Sequence, residues 1–68
     1  MSKEQKEIIR KFYKTEYWNE IRRNGNELIA SEYATTTTIA YTAGRFPKMQ
    51  IQTFYKIIHE LRNEMWGI

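Results

Sequence analysis

Residues 35–46 read TTTTIAYTAGRF, and the conformation of this stretch decides the fold. Threonine is β-branched, which stiffens χ1 and suits a pleated, half-buried strand better than a helix. As a strand, YATTTTIAYT (33–42) would turn at Ala43-Gly44 and return through FPKMQIQT (46–53), a β-hairpin between two helices. As a helix, the same segment begins at Asn26, whose side chain can cap the first turn, and ends at Gly44. Ile29, Tyr33, Thr36, Ala40 and Ala43 then share one face, made mostly of small residues. Pro47 weighs against the hairpin, because a strand there needs a donor that proline lacks. The return strand would also consume the first turns of the following segment, and two strands alone make a poor sheet. The helix is the expected form. It is expected to break near the threonines, where Thr35 or Thr36 can act as a cap.

The flanking segments read more simply. Over residues 3–23, Ile9, Tyr13, Tyr17 and Ile21 recur every four residues with Phe12 beside them, and Asn24-Gly25 supplies a C-cap pair. A strict four-residue spacing drifts around a helix axis, so this helix packs obliquely or against two neighbours. Lys3, Lys6, Arg10 and Lys14 fall near another line, partly offset by Glu4 and Glu7. In the last segment Pro47 suits the first helical position and Gly67 the residue past the end. Between them Ile51, Phe54, Ile58, Leu61 and Met65 form a face built for burial, with Tyr55, His59, Arg62 and Trp66 on a second line. The expected architecture is all-α, a compact three-helix bundle forming one small domain over residues 1–68. The alternative is α+β, a helix–β-hairpin–helix.

A chain of 68 residues buries a modest share of its surface, and the absence of Cys removes disulfides as staples. Yet it carries two Trp, five Tyr and three Phe, more aromatic surface than so small a core encloses. Some of these rings are expected at an interface. The net charge is +3, and every one of the eight acids is Glu. No carboxylate occurs between Glu32 and Glu60, whereas Arg45, Lys48 and Lys56 fall there. A local positive field of this kind favours phosphate or an acidic partner. No apolar run approaches the length of a membrane span, so a cytoplasmic protein without membrane attachment is expected.

The catalytic vocabulary is thin. With one His, no Cys and no Asp, neither an active site nor a metal site is expected; His59 with Glu60 and Glu64 falls short of a ligand set. Gly25, Gly44 and Gly67 are isolated, so there is no phosphate-cradling loop and no cofactor is expected. Binding is better supported. Arg10, Lys14, Arg45, Lys48 and Lys56 are candidates for phosphate contact. Lys48 is expected in the first turn of the last helix, whose free N–H groups would help hold an anion. Thr35 to Thr38, Thr42, Gln50 and Gln52 add neutral donors, and Tyr41, Phe46 and Tyr55 are candidate stacking platforms. For a protein partner, Tyr17, Trp18, Tyr41 and Trp66 are the candidate anchors.

Two family resemblances attach to these residues. Thr38-Ile39-Ala40-Tyr41-Thr42-Ala43-Gly44 and Thr53-Phe54-Tyr55 resemble pieces of the helix-turn-helix of the TetR repressors, with a longer connection between them. Ile9-Arg10-Lys11-Phe12-Tyr13, Ile39-Ala40-Tyr41-Thr42-Ala43-Gly44-Arg45 and a helix with Phe54 and Ile57-Ile58 resemble, in that order, the small helical subunit of type III CRISPR effector complexes. This chain is shorter and carries TTTT where that family has an apolar, Lys-containing helix. The second resemblance implies a non-catalytic basic bundle that stacks along a guide–target duplex and contacts backbone rather than bases. It implies that Arg10 and Arg45 touch nucleic acid.

The expected function is thus binding of nucleic-acid backbone, in an RNA-guided defence complex or as a small DNA-binding regulator. The alternative is a protein-interaction module of a phage or mobile element, such as an anti-CRISPR inhibitor or adaptor, acting through an aromatic surface. The partners expected are nucleic acid, a larger protein complex or both, with a homo-oligomer as a further option.

Overall fold

The computed structural model describes residues 3–66, which form α1 (Lys3–Asn24), α2 (Glu27–Arg45) and α3 (Ile51–Trp66), with no strand. Helix α1 stops where the sequence places a stop. Gly25 adopts φ +67°, and its N–H bonds the Ile21 carbonyl at 2.8 Å. One residue on, Asn26 caps α2, its side-chain oxygen accepting from the Ile29 N–H at 3.1 Å. So short a connection makes α1 and α2 an antiparallel pair. Helix α3 returns parallel to α1, because Lys6 pairs with Glu60 and Arg10 with Glu64, each four residues further along its helix.

The core explains why TTTT is helical. Helix α1 contributes Ile9, Tyr13 and Tyr17, a four-residue repeat of large side chains. Helix α2 contributes Ala30, Ala34, Thr38 and Thr42, a four-residue repeat of small ones. Large on small lets the two helices approach closely, while Phe54, Ile57, Ile58 and Leu61 of α3 close the remaining side. The hairpin alternative is excluded. α2 runs unbroken through the threonines, so the expected break and the Thr35 or Thr36 cap are absent. Thr35 instead donates from Oγ1 to the Ser31 carbonyl at 2.8 Å inside the helix, where back-bonding satisfies the hydroxyl without ending the element.

Three further expectations need correction. α2 ends at Arg45 rather than Gly44, closed by the Phe46 N–H on the Thr42 carbonyl at 2.7 Å. Pro47 does not open α3. It sits second in a turn closed by the Met49 N–H on the Phe46 carbonyl at 3.0 Å, a position that uses the same fixed φ and missing donor. Lys48 therefore lies in that turn, and α3 begins four residues after Pro47, at Ile51. Ile51 itself is 54% exposed instead of buried. The α2 face shared by Ile29, Tyr33, Thr36, Ala40 and Ala43 points outward, with Ile29 47% and Tyr33 40% exposed. The expected C-cap at Gly67 lies outside the described residues.

Two core hydroxyls, Thr38 Oγ1 and Thr42 Oγ1, are buried without a hydrogen-bond partner among the described residues. An unmade buried bond costs more than an absent group. Thr38→Val, which keeps the branched shape and deletes the hydroxyl, should raise stability by about 1 kcal/mol, or roughly 4–8 °C in melting temperature. Ala34→Leu, which thickens the small row, should lower it by about 1–3 kcal/mol. Thermal unfolding followed by far-ultraviolet circular dichroism reads both.

Candidate functional site

The centre of the carboxylate-free stretch, residues 45–50, lies at one end of the bundle. There the start of α1, the end of α2 and the turn before α3 enclose an open groove of about 650 Å³. Arg45 and Lys48 line it, with Phe46, Pro47 and Met49 as its apolar wall and Gln50 and Thr53 as neutral polar groups. Neither cation has an ion-pair partner among the described residues. The Arg45 guanidinium lies 5.7 Å from the Phe46 ring centroid, a cation–π contact. The first turn of α3 beside the groove carries no acidic side chain, so its N–H dipoles add to the positive field.

The other candidates scatter. Arg10 is engaged on the α1–α3 seam, 3.3 Å from Glu64 and 3.7 Å from Glu7. Lys6 is engaged with Glu60 at 2.6 Å. The basic line read along α1 is therefore partly an internal ladder to α3. Lys14 has no ion-pair partner among the described residues and lines a shallow groove of about 380 Å³ with Glu7, Ile8, Arg10 and Lys11. Lys56 is exposed on α3, away from both grooves.

The aromatic anchors separate in the same way. Tyr17 is 2% exposed and belongs to the core, with Trp66 packed edge-on to it at 5.2 Å between centroids. Burial first, and the charge of Glu27 second, push the Tyr17 hydroxyl above its usual range, so it stays neutral well beyond physiological pH. Tyr41 stacks flat on Phe12, 4.1 Å between centroids and 7° from parallel, which leaves it half-buried. Trp18 alone of the four stands in solvent, 52% exposed. It follows Lys14 and precedes Arg22 by one helical turn each, with Lys11 further up the same side of α1. None of these three cations is paired among the described residues.

Sequence reading missed Arg62. From α3 its Nε donates to the Tyr13 hydroxyl at 3.3 Å, and its Nη2 donates to Thr35 Oγ1 at 2.8 Å. Ser31 completes the node, with Oγ 3.5 Å from the Tyr13 hydroxyl. One guanidinium thus joins all three helices through neutral groups. Nothing along the chain signals it, since the four residues come from three segments. Glu20 was missed too. Its carboxylate is buried, held by the Asn24 amide and by Arg23 at 3.2 Å.

Among the described residues no three His, Cys, Asp or Glu side chains converge on a metal position. None of the described helices is long and apolar enough to cross a membrane. Compared with protein-family models, curated proteins and solved structures, the chain matches none. The site is thus argued from its own chemistry: cations, neutral donors and an apolar wall, a set that can hold an anion.

The Lys6–Glu60 pair carries a signature in pH. The hydrogen bond and charge of Lys6 hold the Glu60 carboxyl below its usual range, and Glu60 raises Lys6 in return. A lowered carboxyl contributes stability above its ordinary range, and this is lost as pH falls through the lowered value. The raised ammonium contributes below the ordinary lysine range and loses its share as pH rises through the folded value. Lys6→Met should return Glu60 to an ordinary carboxylate titration, read from its side-chain carboxyl resonance by NMR. An unchanged midpoint would show that the pair does not hold in solution.

Proposed function

We propose that this chain is a non-catalytic helical protein that binds nucleic-acid backbone, with Arg45 and Lys48 as the principal phosphate contacts. The observation that carries this reading is the groove where both cations stand unpaired beside neutral hydrogen-bonding groups and the start of α3. Backbone recognition needs no more than this, because phosphates are met by cations, amides and helix N-termini without base reading. Lys11 and Lys14, unpaired on α1, extend the footprint, and Lys56 adds a weaker, peripheral charge. Arg10 contributes only if phosphate displaces Glu64. The resemblance to the small subunit of type III CRISPR effectors would place such a protein beside a guide–target duplex; the TetR-like resemblance would make it a DNA-binding regulator.

A second reading has one observation in its favour. Trp18 is a large ring left in solvent among unpaired cations, which fits an anchor for an acidic protein partner. The protein would then be an adaptor or inhibitor of the anti-CRISPR kind, encoded by a phage or mobile element.

Fluorescence anisotropy with labelled duplex DNA, duplex RNA and a guide–target hybrid separates the two. Nucleic-acid binding should weaken linearly in log K against log salt, by about 0.9 per phosphate contacted on duplex DNA. Arg45→Ala with Lys48→Ala should cut that slope by roughly two and weaken all sequences alike, while Lys56→Ala changes it by less than about one. No binding even at about 50 mM salt would remove the proposal and leave the Trp18 reading.

A further inference from the structure

We infer that Asn24-Gly25 is a self-modification site, an asparagine that converts spontaneously to aspartate and isoaspartate and that the folded α1–α2 corner holds closed. The chain has four asparagines, and only Asn24 precedes a glycine. That neighbour decides reactivity, because glycine has no side chain to hinder its own backbone nitrogen or to restrict the backbone that must bring it in. In the first step the Gly25 nitrogen loses its proton and attacks Asn24 Cγ. A C–N bond forms, the Cγ–Nδ2 bond breaks, the side-chain nitrogen leaves as ammonia, and a succinimide ring remains. Water reaches this corner, where Asn24 and Gly25 are both exposed. It opens the ring at either carbonyl, giving aspartate from one and isoaspartate from the other, with no oxidant or further reactant.

Two bonds oppose the first step in the folded chain. The Gly25 N–H is committed to the Ile21 carbonyl at 2.8 Å, so the proton that must leave is held. The Asn24 amide donates to Glu20 Oε1, which draws it back along α1 and away from Gly25. Attack therefore requires the last turn of α1 to open. That opening is local, because every residue from Arg22 to Ile29 is exposed and little burial is lost. The products do not restore the corner. Aspartate at 24 sets a second carboxylate against that of Glu20, which is only 5% exposed and already held by Arg23 at 3.2 Å. It also puts negative charge at a helix C-terminus. Isoaspartate routes the main chain through Cβ and adds a carbon to a connection of two residues, Gly25 and Asn26. The large row of α1 then no longer registers with the small row of α2. Conversion is a one-way mark on chains whose corner has opened.

Incubation of the full chain at mildly alkaline pH, with and without denaturing guanidinium chloride, tests this. Fragmentation mass spectrometry places the amide-to-acid mass gain, and isoaspartate-specific methyl labelling identifies the product. Asn24 should convert in both conditions, at least about tenfold faster in denaturant, ahead of Asn19, Asn26 and Asn63. Asn24→Gln, whose longer side chain disfavours the ring closure, should stay unconverted at that position. Asn24→Asp, which installs one product directly, should lower the melting temperature by roughly 4–8 °C, and by less when combined with Glu20→Gln. Conversion no faster in denaturant, conversion first at another asparagine, or an Asn24→Asp cost unchanged by Glu20→Gln would overturn the inference. No ligand enters the experiment, so the outcome is independent of what the groove at the other end of the bundle binds.

Discussion

The rest of the molecule follows from how little side chain α2 presents to α1. Ala30, Ala34, Thr38 and Thr42 recur every four residues and are all buried. Opposite them, α1 needs space for two tyrosine rings and an isoleucine on the same spacing. A larger row on α2 would push the helices apart and leave Tyr13 and Tyr17 half in water, forfeiting most of the apolar burial a small chain can gather. The close approach also brings Tyr13, Ser31 and Thr35 within reach of one guanidinium from α3, so the polar node depends on the apolar row.

Much of the fold was legible in the sequence because caps and periodicity are local. Asn24-Gly25-Asn26 marks both helix ends by the chemistry of two residues, and the α3 face is read from its spacing. What misled was residue type taken without its surroundings. Ile51 counted toward the buried face of α3 by type and spacing yet stands in solvent, while the inner face of α2 consists of alanines and threonines. Their virtue is small volume, which no hydrophobicity count rewards. The threonines likewise argue for a strand only until Thr35 finds the Ser31 carbonyl and Thr38 finds the core. Pro47 could serve equally at a helix start or second in a turn, and only the Phe46–Met49 hydrogen bond distinguishes them.

The candidate site was legible in part, for a related reason. A gap in carboxylates is a linear feature, and it did gather Arg45 and Lys48 at one groove. Ion pairing is a tertiary feature. Arg10 and Lys6 look as free in the sequence as Lys11 and Lys14, but α3 brings Glu60 and Glu64 to the first two only. Exposed pairs like these contribute little to stability, and their larger effect here is to decide which cations remain free for a ligand.

The guanidinium node also bears on the order of events during synthesis. Arg62 is 49 residues from Tyr13 and 27 from Thr35, while α1 and α2 are joined by two residues. The hairpin can therefore form while α3 is still being made, at little loop-closure cost. Until α3 arrives, one side of Tyr13 and Tyr17 has no cover and Thr35 lacks its cation. The nascent hairpin is a template with an open apolar flank, and α3 is the element that turns it into a cooperative domain.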